Sequence, residues 1–293
     1  MRKLALLFSG LILLVLAGHP TDRAAAAEAP ATGYRLLRLD GHPVKFGRPE
    51  LGAGAAITYA FLTRPARFPS ARNCQAMGAL DPILKRSGIA LTALRREAAA
   101  AFAMWEKQAD ISFRRILDAD RADVLIGVEL EARGRAFTNV AYDKNDPSDG
   151  ETEAAARLDY VALGRPGPAA PRRINRSLIC LNADELWKIG FDGNNQIYDL
   201  RYTFAHEIGH AIGLDHPGAS HAVMNFRYGE RFRELQAGDV AGAIALYGAK
   251  GPGGRRRATI QARALPADDG PDGAAARQPT LSLGEHDAAA ADR

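Results

Sequence analysis

Long apolar runs are nearly absent from the sequence. The one clear run extends from Leu4 to Ala17, after two basic residues and before a stretch of small residues that ends near Ala27. This order is typical of a cleaved secretory signal peptide. The other interpretation, an uncleaved membrane anchor, is less favoured because the run is shorter than the ~20 residues that span a bilayer. We therefore predict a signal peptide over 1–27 and a secreted or periplasmic protein without a stable membrane span.

A concentrated basic surface is also lacking. The chain has 38 Lys and Arg against 34 Asp and Glu, a formal charge of +4, which falls to +2 when the signal takes away three basic residues and one acidic residue. The only basic cluster is at 255–257, and no aromatic residues alternate with it. A basic stripe for nucleic acid is therefore not supported.

Internal repeats are absent, and the ends of the chain differ in composition from its middle. Residues 28–55 show few periodic features and are too few for an independent domain. Residues 249–293 are rich in Gly, Pro, Ala, Arg and Asp without periodic apolar residues, which predicts a disordered tail. One folded domain is expected over 56–248, and we expect a monomer.

Periodicity within this domain predicts strands and helices in a mixed order. Apolar alternation or apolar runs predict five strands, near 55–63, 111–117, 122–130, 136–143 and 176–183. The run at 122–130 is apolar throughout, which indicates burial on both faces. Spacings of three and four residues predict helices from about Leu91 with Thr92 as cap, from Leu200 with Asp199 as cap, and over 234–248 with Leu235, Val240, Ile244 and Tyr247 on one face.

Histidine is scarce, yet three of the seven histidines fall in "HEIGHAIGLDH" at 206–216. On the helix that begins after Asp199, His206 and His210 are one turn apart and lie on one side, away from an apolar stripe. Gly213 can adopt a left-handed conformation that turns the chain and brings His216 to the same point. Three imidazoles with an open fourth position are typical of a catalytic zinc site.

Glu207 is not needed as a zinc ligand. Its carboxylate is placed to accept a proton from a zinc-activated water and to deliver it to a leaving amine. The alternative, ordinary polar residues on an exposed helix, is disfavoured because the histidine pair, the glycine and the third histidine occur together at this spacing.

The string matches H-E-x-x-H-x-x-G-x-x-H, and the chain therefore resembles the metzincin metallopeptidases, within which it is most similar to the matrixins. The similarity extends over roughly 55–248 and includes "ITYAF", "ADVLIGVE" and "LQAGDVAGAIALYG". It implies an α+β fold with a twisted mixed five-stranded sheet, two long helices beneath it, and a small C-terminal subdomain with a third helix.

The same resemblance implies roles for three further residues. Met224 in "HAVMNF" would be the methionine of the Met-turn beneath the metal, and Tyr228 would form a wall of the substrate pocket. Asp239 would join the last helix to the Met-turn region.

The expected cofactor is one catalytic zinc ion. A second, structural zinc of the matrixin type would need three more histidines and an aspartate, and no histidine lies between the third and fifth predicted strands. Calcium could bind acidic residues of the 144–176 stretch and its border, but no recognisable ligand spacing supports it. These acidic residues are Asp143, Asp146, Asp149 and Glu151.

Only two cysteines are present, Cys74 and Cys180. In an oxidising compartment an even pair is expected to form a disulfide, which here would close a long loop. The alternative is that Cys74 is an inhibitory zinc ligand in a latent form. The disulfide is favoured because Cys180 lies in an apolar, strand-like run and would otherwise lack a partner.

The leading hypothesis is a zinc-dependent endopeptidase that binds a peptide or protein substrate along the "AFTNVAYD" strand by β-addition. One alternative is a peptidase-like module that binds zinc without turnover. Such a module would have no use for Glu207. Another is an amidase acting on cell-wall peptides, since pocket shape rather than the ligand set decides the substrate.

Overall fold

The structure is a computed structural model that describes residues 33–131, 134–144, 169–218 and 221–251. The predicted signal peptide and residues 252–293 of the predicted tail lie outside this part of the chain. All described residues belong to one compact unit. None of its helices is both long enough and apolar enough to cross a membrane.

The described residues form strands and α-helices in a mixed order. The strands are β1 (Arg35–Leu36), β2 (Arg38–Leu39), β3 (His42–Lys45), β4 (Ala55–Phe61), β5 (Ala66–Arg67), β6 (Ala76–Gly78), β7 (Ile111–Arg115), β8 (Val124–Glu129), β9 (Ala136–Tyr142), β10 (Arg172–Asn182), β11 (Trp187–Lys188), β12 (Tyr198–Asp199) and β13 (Leu214–Asp215). The helices are α1 (Asp81–Ser87), α2 (Leu91–Gln108), α3 (Leu200–Ala211) and α4 (Ala237–Tyr247).

The central sheet contains all five predicted strands, in the order β7, β4, β8, β10, β9. The first four strands are parallel, and β9 joins β10 antiparallel with Ile179 opposite Thr138. All six residues of β8 are buried, as the continuous apolar run predicted. The α+β fold with a twisted mixed sheet is therefore confirmed.

Two short hairpins extend this sheet beyond the five predicted strands. The β5–β6 hairpin pairs with β8, and the β2–β3 hairpin pairs with the start of β10. The β2–β3 hairpin and β1 come from the segment that lacked periodic features, because strands of two to four residues are too short to produce a pattern. β1 pairs with β13, directly before His216.

Helices α2 and α3 pack on each other and against the sheet. The indole Nε1 of Trp105 on α2 donates a hydrogen bond of 2.9 Å to the backbone oxygen of Ala205 on α3. The predicted Thr92 cap is wrong, because α2 begins at Leu91 after Ala90 and has no side-chain cap. The backbone oxygen of Ala90 accepts from the first turn instead.

Helix α4 confirms only part of the predicted face: Leu235, just before the helix, and Tyr247 are buried. Ala243, Leu246 and Tyr247 are fully buried, whereas Val240 and Ile244 are half-buried. The reason is close packing: a side chain at Gly242 would overlap Leu214. The helix therefore turns its glycine-bearing side inward.

A disulfide joins Cys74, in the loop before β6, to Cys180 on β10. The two Cα atoms are 5.9 Å apart, and both residues are fully buried. The idea that Cys74 serves as an inhibitory zinc ligand is wrong for this structure, because its sulfur is already bonded to Cys180.

Candidate metal centre

Helix α3 carries the first two histidines of the motif. The Asp199 carboxylate accepts a hydrogen bond of 2.8 Å from the backbone N–H of Tyr202, which caps the helix as predicted. The predicted apolar stripe is fully buried and fixes which side of the helix faces the core; it consists of Leu200, Phe204, Ile208 and Ile212. His206 and His210 consequently lie on another side.

The chain turns at Gly213 and places His216 opposite α3. Gly213 has φ of 108°, in the left-handed region, and a Cβ there would overlap the backbone oxygen of Val44. The N-terminal segment supports this turn, since the backbone N–H of Leu37 donates 2.8 Å to the Gly213 oxygen. A second support comes from Tyr247, whose hydroxyl donates 2.6 Å to the Ile212 oxygen.

The three histidines converge on one point. Their Nε2 atoms are 3.1 Å apart for His206 and His216, 3.2 Å for His206 and His210, and 3.1 Å for His210 and His216. Three nitrogens bound tetrahedrally to zinc at ~2.0–2.1 Å would be about 3.3–3.4 Å apart. The triangle therefore needs only a slight expansion to hold this ion.

The outer ring nitrogens show which atoms face the ion. His206 Nδ1 lies 2.7 Å from the Val223 oxygen, and His210 Nδ1 lies 2.9 Å from the Leu214 oxygen. A carbonyl only accepts, so each Nδ1 donates, and each Nε2 of the neutral ring presents a lone pair to the centre. Burial, with the nearby His216, lowers the pKa of His206 to about 4. Converging lone pairs repel each other, so this donor set fits a cation.

Glu207 follows His206 on α3, and its side chain is buried. The whole residue is 5% exposed, and burial raises the pKa of its carboxyl to about 7. The Thr138 hydroxyl donates 2.7 Å to Glu207 Oε2, which opposes this rise. A buried carboxyl with a pKa near neutrality can exchange protons at physiological pH.

Met224 packs directly beneath α3. It is 2% exposed, and a Cβ on Gly209 would overlap its sulfur, so the glycine between two of the histidines makes room for it. The Asp239 carboxylate accepts hydrogen bonds of 2.9 Å from the Val223 N–H and 3.0 Å from the Met224 N–H. The contact between the last helix and the Met-turn region, which the resemblance implied, is present.

Tyr228 lies beside the start of α3. Its ring stacks on Tyr198 with centroids 4.1 Å apart and meets Tyr202 edge-on at 5.0 Å. Its hydroxyl accepts 3.0 Å from the Asp199 N–H and donates 3.0 Å to Glu230 Oε1. Lys188 forms an ion pair of 2.5 Å with the same Glu230 oxygen.

A cavity of about 50 Å³ lies next to the His206 turn. Tyr202 and Val223 form part of its wall, but Tyr228 does not. Its lining also includes two arginines, Arg201 and Arg233. Tyr228 packs in the tyrosine cluster with Tyr198 and Tyr202, and its role as a wall of the substrate pocket stays a prediction.

Other metal-binding clusters are scarce among the described residues. Besides the histidine triangle, the one further group of three or more donors contains Cys74, Glu129 and Cys180, whose two sulfurs are bonded to each other. Asp143 lies 3.8 Å from Arg173. The other three acidic residues considered for calcium, Asp146, Asp149 and Glu151, lie outside the described residues.

Comparison with known proteins identifies the family. The family model described as Matrixin matches residues 84–248, more than half of the chain. The chain belongs to the matrixin family. The match covers α2, the central sheet except β4, the histidine motif and α4.

Curated relatives come from bacteria, animals and plants. Karilysin of Tannerella forsythia is 31% identical over 160 residues, 54% of this chain and 30% of that protein. Matrix metalloproteinase-19 of Mus musculus is 33% identical over 168 residues, 57% of this chain and 27% of that protein. Metalloendoproteinase 4-MMP of Arabidopsis thaliana is 28% identical over 241 residues, 81% of this chain and 57% of that protein. This matrixin thus covers less than two thirds of each relative.

Sequence analysis missed several residues at this centre. Thr138 could have been noticed as a hydroxyl in an alternating strand, but its partner is 69 residues away. Glu230 and Lys188, which contact each other near Tyr228, gave no signal, because isolated charged residues are common at the surface. The sequence also showed no sign that strands β1 to β3 support the turn before His216.

Proposed function

We propose that this matrixin is an exported zinc-dependent endopeptidase. One observation carries the proposal: three imidazole Nε2 atoms converge within 3.2 Å of one another, and the residue after the first histidine is a buried glutamate. The family membership and the names of the relatives, which include a metalloendoproteinase and a matrix metalloproteinase, support it.

The proposed roles follow from the donor set. His206, His210 and His216 would hold one zinc ion, which when bound supplies an activated water and polarises the scissile carbonyl. Glu207 accepts the proton of the attacking water and returns it to the leaving amine. The carbonyls of Val223 and Leu214 keep two of the imidazoles in the tautomer that leaves Nε2 free.

The proposed substrate is an extended peptide bound along β9. Within the described part of the chain, β9 pairs on one side only, with β10. An edge strand of this kind offers backbone N–H and carbonyl groups to a further strand. Its Thr138 contacts Glu207, so a peptide added at this edge would pass close to the proposed base.

A zinc-binding module without turnover is the first alternative. Burial of Glu207 raises its pKa and therefore opposes its charged form. Zinc binding alone would not require a protein to bury a carboxyl group at this cost.

An amidase for cell-wall peptides is the second alternative, and it would use the same zinc ligands and the same base.

Export is proposed from the sequence pattern of residues 1–27. The buried disulfide supports it, because such bonds persist in oxidising compartments.

The test is incubation of the purified mature protein with a degenerate peptide library, with and without a zinc chelator. Zinc-dependent cleavage within peptides is expected. Cleavage of cell-wall peptides alone would favour the amidase, and zinc binding without any cleavage would favour the binding module.

A further inference from the structure

Thr138 is the polar member of an otherwise apolar row. Alternate residues of β9 point to the same face of the sheet. Val140 and Tyr142 share the face of Thr138 and belong to the main apolar core, which also includes residues of α3, and Ala136 packs against this core. A hydroxyl in this row needs a hydrogen-bond partner, because an unpaired one would be costly.

That partner is Glu207. Thr138 Oγ1 lies 2.7 Å from Glu207 Oε2 and 3.0 Å from the Glu207 backbone oxygen. The hydroxyl has one hydrogen, and the nearer, charged oxygen attracts it more strongly. Within the described residues no other group bonds the Glu207 carboxylate. The Thr138 bond to Oε2 therefore leaves Oε1 without a hydrogen bond to the described residues.

The position of Thr138 is fixed from the opposite face of β9. The neighbouring Asn139 accepts 3.0 Å from the Arg72 N–H and donates 3.2 Å to Cys74 Sγ. Cys74 is bonded to Cys180 on β10, the strand that pairs with β9. The disulfide-bearing loop therefore holds the edge strand in register, and with it the hydroxyl that faces Glu207.

We propose that Thr138 is a positioning residue that binds Glu207 Oε2 and leaves Oε1 as the oxygen that accepts the proton of the attacking water. This inference rests on the proposed function, since it assumes that Glu207 is the base. The hydrogen bond keeps one rotamer of the carboxylate in place during turnover, a geometric effect on the chemical step.

The test compares Thr138→Val, which replaces the hydroxyl by a methyl group of similar size, with Thr138→Ser, which keeps the hydroxyl. For Thr138→Val, kcat for a peptide substrate should fall about 10- to 100-fold, as expected for loss of one hydrogen bond to a charged group. KM and the zinc affinity measured by chelator competition should stay within about twofold. Thr138→Ser should retain kcat within about threefold.

A second readout does not use activity. In urea unfolding of the zinc-loaded protein, Thr138→Val should lower the midpoint more when Glu207 is present than in a Glu207→Ala background, because the two side chains interact. Equal shifts in both backgrounds would contradict the inference.

Three outcomes separate the inference from the function on which it rests. Wild-type kcat in Thr138→Val, with Glu207→Gln inactive, overturns the role of Thr138 alone. Full activity of Glu207→Gln overturns the proposed function. Equal impairment of the Ser and Val variants, of which only Ser keeps the hydroxyl, shows that the hydroxyl does not account for the effect and overturns the inference. If Thr138→Val does not fold, kcat of Thr138→Ser is compared with kcat of Thr138→Ala, and this comparison decides between the same outcomes.

Discussion

The hydroxyl of Tyr247 lies 2.6 Å from the backbone oxygen of Ile212, at the point where the histidine-bearing helix ends. The same oxygen of Tyr247 accepts 3.0 Å from the backbone N–H of Phe46, next to β3. One side chain of α4 thereby joins the N-terminal segment to the turn before His216. The distance between the third histidine and the other two depends on this turn.

Tyr247→Phe should destabilise the protein and weaken zinc binding. The change leaves a buried carbonyl and a buried N–H without their partner, at a cost of about 1–3 kcal/mol in the free energy of unfolding. Urea unfolding and chelator competition measure the two effects. Tyr59→Phe is the matched control, because the Tyr59 ring is also buried but its hydroxyl has no hydrogen-bond partner in the described part of the chain. Equal effects of both changes would contradict the role of Tyr247.

One zinc ion per chain is expected, held by the histidine triangle. His210→Ala should lose metal and activity together, because the two remaining imidazoles bind zinc much more weakly. Metal analysis after dialysis measures the stoichiometry. Two tightly held zinc ions in the wild type would contradict the account.

The Cys74–Cys180 disulfide should contribute about 2–5 kcal/mol to the free energy of unfolding. It closes a loop with a sequence separation of 106, which restricts the unfolded chain. Comparing urea unfolding of the wild type with Cys74→Ser/Cys180→Ser measures the contribution. Two free thiols in the unfolded, unreduced wild type would show that the bond is absent.

Activity should fall in acid as Glu207 becomes protonated. Burial raises the pKa of Glu207 to about 7 from its usual 4.5, and the charge of a bound zinc ion acts in the opposite direction. A protonated carboxyl cannot accept a proton, so kcat/KM should decline as pH falls through a pKa that the zinc charge holds below 7. The profile is measured together with zinc content at each pH, which separates protonation from metal loss. A constant kcat/KM down to about pH 4 with zinc retained would contradict the assignment.

The sequence predicted the histidine motif and the five central strands because both depend on local spacing. His206, Glu207 and His210 are on one helix, and the turn that brings His216 round could be predicted from the backbone freedom of Gly213. The support that this turn receives from Leu37 and Tyr247 could not. Thr138 could not be predicted, since its contact with Glu207 joins residues 69 positions apart. The partial exposure of Val240 and Ile244 on α4 was also missed, because close packing at Gly242, rather than apolar periodicity, decides which side of the helix faces inward.

Glu207→Gln tests the central claim most directly. The substitution keeps the size of the side chain and its capacity for hydrogen bonds but removes the proton acceptor, and it leaves all three histidines unchanged. Zinc content should stay near one ion per chain, while peptide hydrolysis should fall by at least ~10² to 10⁴, the contribution of a positioned general base. A Gln variant that binds zinc and retains most of its zinc-dependent hydrolysis would contradict both the role of Glu207 and the mechanism built on it.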